Sequence, residues 1–376
     1  MSPSLLSLAC GLGLGLLLAL LGRWRNARTR RTALAHTAPP RPLSIVIASR
    51  NEEAVIENTV RSLAQAAPDA EIVVVDASTD RTPQILTELR REFPQLVVLD
   101  DPYRRGKPAA LNHALRHARG EILLFLDADA RMGPEALRFY HALASHPANP
   151  VVFADFAPYN RRRTFAVVLQ ELFFAMAKAF VFSGLFWRPV FMTCGLFVRR
   201  EALEKAGEFD PNTLVDDFDL GTRLAQHGIT AKFVRGPLCL IQYAPTLPDL
   251  FAQFLRWYTG GIREMFEEIR RGRLSYLGLM ALLAWLIYLP WFALWVDLGL
   301  GTWVLLRYLV PGALGALYGA VLLAYWLERP RPREALLNAL GGPLLLHLWL
   351  QAAVLVSFFR ALGRGSTWYK VRRERA

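Results

Sequence analysis

Cysteine is scarce: the 376 residues contain three, Cys10, Cys194 and Cys239. They show neither metal-ligand spacing nor a pairing pattern, so no disulfide framework is expected and a reducing compartment is implied. Lysine is nearly as rare, five of 44 basic residues, and the formal charge of +12 is carried by arginine. No internal repeat and no low-complexity tract is found. The sequence also lacks the basic face interleaved with aromatics, or the recognisable module, that nucleic-acid binding requires, and that class of partner is set aside. Charge is thin for a soluble enzyme, at 20% against 53% hydrophobic residues, and the apolar excess is concentrated at the two ends.

Those ends read as membrane segments. Residues 4–22 are almost purely apolar, and roughly 20 such residues span a bilayer core. No positive charge precedes them, while Arg23, Arg25, Arg28, Arg30 and Arg31 follow, which favours an anchor over a cleaved signal peptide. Towards the other end, 275–326 is apolar with a break near Asp297 and Gly301, suggesting two spans. A charged loop (328–334) and a third apolar run (336–359) follow. Arginine clusters at 270–273 and 372–375 mark cytoplasmic edges. Three crossings after a cytoplasmic domain would put the basic tail outside, so one segment is expected to be re-entrant or interfacial. The candidate is the last, opening with Gly341-Gly342-Pro343. The expected partition is an anchor (1–22), a basic linker (23–42), a catalytic domain (43–249), an amphipathic interfacial helix (250–274), C-terminal membrane segments (275–360) and a basic cytoplasmic tail (361–376). The protein is thereby expected to be multi-pass in the cell's inner (plasma) membrane.

Between the ends lies an α/β pattern. LSIVIAS, EIVVVDAS, LVVLDD and EILLFLDADA read as strands, alternating with helix-like ENTVRSLAQAA, TPQILTELRREF and KPAALNHALRHA. Such alternation means βαβ units and a parallel sheet, with ligands beyond the carboxyl ends of the strands. Asp76, Asp127 and Asp129 fall at such ends. Residues 164–191 are rich in Phe and Leu but interrupted by Glu171, Lys178 and Arg188; a helix on the membrane face and a buried domain helix are equally good accounts.

Asp76 alone is equally a helix cap. Asp127-Ala128-Asp129 is stronger: strand alternation would put both carboxylates on one side, and two acids after an apolar run suit Mg²⁺ or Mn²⁺ bound with substrate phosphates. Lys107 and Asn112 lie in a segment that could bring a cation and an amide nearby. Asp216, Asp217 and Asp219 precede a helical stretch; they either gain from its dipole or supply a general base whose pKa neighbouring charge and burial raise. Gln253, Arg256 and Trp257 share a helix, where Arg offers a fork for a pyrophosphate and Trp a platform for a sugar ring; a snorkelling Arg and an interfacial Trp explain the same pair.

In order and spacing these motifs, from Ile45 to about Gly261, resemble the family 2 glycosyltransferases with the GT-A (nucleotide-diphospho-sugar transferase) fold. ASRNEE (48–53), GKPAALNHAL (106–115), DAD (127–129), TCGLFVRREAL (193–203), VDDFDLGTRL (215–224) and QFLRW (253–257) match that family's motifs, and STWYKVRR at the end is similar to the close of its membrane members. Ala48 stands where Pro is common, and Val215-Asp216 where Thr-Glu is usual. The resemblance implies that Ser49, Glu52, Asp76, Lys107, Asp127, Gln253 and Arg256 bind a UDP-sugar. By the same token Asp129 holds the metal, Asp217 is the base, and Cys194, Gly195, Asp216 and Trp257 face the acceptor. The activity implied is inverting sugar transfer to a membrane lipid. A processive polysaccharide synthase is the alternative, and a catalytically inactive membrane scaffold a remote one.

Overall fold

The structure is a computed structural model. It describes residues 2–101, 106–160, 162–185, 191–272 and 277–363, with the side chains of 277–287 not described. Arg188 and the closing STWYKVRR therefore lie outside the described residues. The chain divides into two compact units, one built from 26–160 and 191–243, the other from 2–25, 162–185 and 244–363.

The first unit is built on an eight-stranded sheet. Four strands, β1 (Leu43–Ser49), β2 (Glu71–Asp76), β3 (Leu96–Asp100) and β4 (Ile122–Asp127), are separated by α2 (Ile56–Ala66), α3 (Thr82–Glu92) and α4 (Lys107–Leu115). All four run parallel in the order β3-β2-β1-β4. Ile45, Val46, Ile47, Val73, Val74 and Leu124 are fully buried, which is why these strands read as continuous apolar runs rather than alternating ones. On α2 the buried positions Ile56, Thr59, Val60, Leu63 and Ala64 form one stripe at helical spacing.

Past β4 the sheet ceases to be purely parallel. β7 (Leu196–Arg199) inserts antiparallel beside β4, followed by β6 (Val151–Pro158), β8 (Lys232–Ile241) and the short β5 (Arg131–Met132). The expectation of a parallel sheet therefore holds for four strands and gives way to a mixed sheet. Two further helices flank this half, α5 (Pro134–Ala144) and α7 (Arg200–Ala206), and α8 (Asp216–Gln226) precedes β8.

The second unit is helical: α6 (Phe165–Phe180), α9 (Leu247–Arg270), α10 (Leu277–Leu300), α11 (Val310–Leu327), α12 (Pro332–Leu362) and the first part of α1 (Pro3–Leu34). Among the described residues, three segments are long and apolar enough to cross a membrane: Pro3–Leu34, Leu305–Leu327 and Pro332–Leu362. α12 is continuous, with Gly341, Gly342 and Pro343 inside it. α1 meets α11 through small residues. A Cβ on Gly315 would stand 2.5 Å from the Leu8 carbonyl oxygen, and one on Gly319 2.6 Å from that of Leu12; Gly11 and Gly15 make the reciprocal approach to Gly312 and Ala316. This is the close backbone contact that small residues four apart permit.

α6 packs into the core of this unit through Leu169, Leu172 and Ala175, and the charges that interrupt its sequence find partners. Glu171 pairs with Arg163, whose guanidinium also forks onto Glu334 of α12 at 2.8 and 3.0 Å. Lys178 lies 3.4 Å from Glu328. Neutralised in this way, they can be buried at tolerable cost.

Candidate active site

The register of the parallel strands brings four strand ends to one edge. Ser49 pairs with Asp76, Asp76 with Asp100, and Ala48 with Asp127. The loops leaving this edge are stitched together. Asn51 adopts a left-handed φ of 56°, a conformation that Asn tolerates better than most side chains. Its Oδ1 accepts from the Thr79 amide at 2.7 Å, and its own amide donates to the Ser78 hydroxyl at 2.6 Å. Ser78 in turn donates to Asp76 Oδ1 at 2.6 Å, and the Glu52 amide donates to Thr82 Oγ1 at 2.9 Å. Ser49, Glu52 and Asp76 are all buried here. Burial pushes the Asp76 carboxyl above its ordinary value, against the hydrogen bond from Ser78. A carboxylate fixed and largely buried at a strand end is suited to accept hydrogen bonds from a flat polar ligand.

The DAD segment departs from the strand-alternation expectation. β4 ends at Asp127, and Asp129 lies in the turn that follows, buried, while the Asp127 side chain keeps 40% of its surface exposed. The turn is held from behind: Thr59 of α2 donates to the Ala128 carbonyl at 2.8 Å. Both carboxylates are hard oxygen donors of the kind Mg²⁺ and Mn²⁺ prefer. Among the described residues no group of three or more His, Cys, Asp or Glu forms a ready-made cage; Asp127 and Asp129 would supply only part of a cation's oxygen shell.

Lys107 opens α4 directly after Gly106, whose φ of 102° favours glycine. Its ammonium donates to Asp127 Oδ1 at 2.7 Å and to Thr193 Oγ1 at 3.0 Å, and lies 3.8 Å from Asp216 Oδ2. Burial alone would lower its pKa, but Asp127 and Asp216 hold it well above the ordinary lysine value, so it is a fixed positive charge. Thr193 donates to Asp216 Oδ2 at 2.9 Å. Of the acidic trio opening α8, Asp216 is thus tied to Thr193 and Lys107, and Asp219 to Arg223 at 2.6 Å. Asp217 sits between them in the first turn, half-buried, its Oδ1 accepting from the Phe218 amide at 3.0 Å. Asn112, the amide expected near the acids, is instead spent on the backbone of Phe209.

Cys194 and Gly195 follow Thr193. Gly195, with a φ of 82°, donates its amide to the Phe125 carbonyl and accepts from the Ala154 amide, stitching β4 to β6. Gln253, Arg256 and Trp257 belong to the helical unit, on α9. There Gln253 accepts from Gln170 at 2.9 Å, and the Trp257 ring lies 5.6 Å from that of Phe254 and 6.2 Å from that of Phe173. The seven residues Ser49, Glu52, Asp76, Lys107, Asp127, Asp129 and Asp216 and the acid Asp217 thus all belong to the sheet unit. Sequence reading missed Thr193, although it stands at the head of a motif already noted; a hydroxyl before Cys-Gly carries no charge signal of its own.

Residues 44–207 match the model of Glycosyl transferase family 2. Over 251 residues the chain is 31% identical to a beta-monoglucosyldiacylglycerol synthase of Synechocystis sp., covering 64% of this chain and 52% of that one. Over 244 residues it is 24% identical to a poly-beta-1,6-N-acetyl-D-glucosamine synthase of Staphylococcus epidermidis, covering 62% and 58%. The chain spans about half the length of the curated relatives it matches. Among solved structures it resembles a mannosyltransferase from Pyrobaculum calidifontis, described in complex with GDP-Man and Mn²⁺, with a TM-score of 0.58, 24% identity and coverage of 95% of this chain and 99% of that one. The sheet unit has the GT-A fold of such neighbours.

Proposed function

We propose that this glycosyltransferase moves a sugar, with inversion, from a UDP-sugar to a membrane lipid. It would work from the cytoplasmic face of the inner (plasma) membrane, as a multi-pass protein partitioned as the hydropathy of the sequence suggests. The observation that carries this reading is the shared edge where Ser49, Asp76 and Asp127 end parallel strands, with Lys107 and the α8 acids gathered beside it. Ser49, Glu52 and Asp76, in the stitched loops, bind the nucleoside. Asp129, helped by Asp127, holds a divalent cation that neutralises the leaving diphosphate when bound. Asp217 is the general base: it takes the proton of the acceptor hydroxyl, whose oxygen attacks the anomeric carbon as the bond to the nucleotide breaks. Cys194 and Gly195 line the acceptor side. By resemblance alone, Gln253, Arg256 and Trp257 serve the diphosphate and the acceptor end.

A lipid acceptor is favoured over a growing polymer by the higher identity to the glucosyldiacylglycerol synthase than to the polysaccharide synthase. The test is incubation of detergent-purified protein with a panel of UDP-sugars, Mg²⁺ or Mn²⁺ and a total lipid extract. Metal-dependent UDP release with one sugar added to a lipid supports the proposal. A ladder of repeating sugar masses replaces it with the polymer synthase, and no release from any donor overturns the choice of nucleotide.

A further inference from the structure

Four side chains from four separate parts of the sheet unit form one hydrogen-bonded chain. Asp127 ends β4, Lys107 begins α4, Thr193 lies just before β7 and Asp216 begins α8. The links are 2.7, 3.0 and 2.9 Å long. Hydrogen-bond chemistry fixes their direction. An ammonium has donors only and a hydroxyl has one proton. Lys107 therefore donates to Thr193 Oγ1, and the single Thr193 proton is left for Asp216. Thr193 is 4% exposed and the Asp216 side chain 15%, so water is poorly placed to substitute for either bond.

The arrangement has a mechanical consequence. Asp216 and Asp217 are consecutive in the first turn of α8, where helix amides have the fewest intrahelical constraints. Anchoring Asp216 therefore sets where the Asp217 carboxylate stands. The other end of the chain is Asp127, on the strand that leads into the DAD turn. We infer that Thr193 is a positioning residue, which fixes the α8 acid pair in register with the donor-phosphate side of the site through Lys107. Lys107 is the hub of this device rather than a free cation awaiting phosphate. The inference rests on the role proposed for Asp217, but its structural half does not.

The test uses full-length protein in detergent with Thr193→Val, which keeps the shape and removes the hydroxyl, and Thr193→Ser, which keeps the hydroxyl. Two readouts are taken: hydrogen–deuterium exchange over 215–220, and steady-state UDP release with donor and lipid acceptor. Thr193→Val is expected to speed exchange in that stretch at least tenfold, with the sheet strands unchanged. It should lower kcat tenfold to a hundredfold while the donor KM moves less than threefold. Thr193→Ser should return both to within threefold of the parent. Wild-type exchange in Thr193→Val overturns the anchoring role whatever the turnover. Loosened exchange with unaltered kcat overturns the coupling to the base. If the parent itself releases no UDP, the glycosyl-transfer reading fails, and the exchange data alone decide whether Thr193 anchors α8. Should Thr193→Val not fold, failure of Thr193→Ser to preserve exchange and kcat overturns the proposal.

Discussion

The sheet unit and the helical unit bury polar and backbone groups by different means. At the sheet edge polar groups form continuous hydrogen-bonded strings, from the Asn51 backbone amide through Ser78 to Asp76, and through the side chains of Asp127, Lys107, Thr193 and Asp216. In the helical unit, closeness comes from absent side chains, at Gly11, Gly15, Gly315 and Gly319, and charges are paired in compact groups such as Arg163 with Glu171 and Glu334. The first strategy fixes directions, which an active site needs. The second fixes helix spacing and tolerates an apolar surrounding.

That contrast can be broken from either side. The largest effect is expected at the DAD turn: Asp129→Ala should lower turnover by about a hundredfold or more, as loss of cation charge stabilisation implies. Calorimetry should show UDP binding that no longer responds to Mg²⁺ or Mn²⁺. In the helical unit, Gly319→Leu must push α1 from α11 and should cost about 1–3 kcal/mol or more, the range for overpacking. It would be read as a lower Tm in detergent, with UDP affinity retained. Arg163→Met strands Glu171 and Glu334; because the group keeps about a fifth of its surface exposed, about 2 kcal/mol is expected, between the buried and surface cases, again in Tm. The smallest is Asn51→Ala, which loses one turn-stabilising acceptor and a favourable left-handed residue for about 1 kcal/mol, while Asn51→Gly should keep the turn. Denaturant midpoints would distinguish the two.

The parallel half of the sheet was legible because its strands are uniform apolar runs separated by helix-length segments. So were the acids, since Asp76 and Asp127 end such runs. The antiparallel insertion of β7 beside β4 was not legible, because short strands at 151–158 and 196–199 carry no sign of which neighbour they choose. Nor did periodicity reveal that Asp129 leaves the strand for a turn held by Thr59. Nor did the sequence show what pairs with Glu171 of α6: its partner Arg163 is shared with Glu334, 171 positions further along. Thr193 escaped notice for the same reason, its meaning arising only from Lys107 and Asp216 on either side.

The most direct test of the central claim is UDP release by Asp217→Asn beside the parent protein, with donor, metal and lipid acceptor saturating and UDP affinity measured in parallel. Removal of a general base should lower turnover by about 10²–10⁴ with UDP affinity within twofold of the parent. Parent-like turnover in Asp217→Asn would contradict the account.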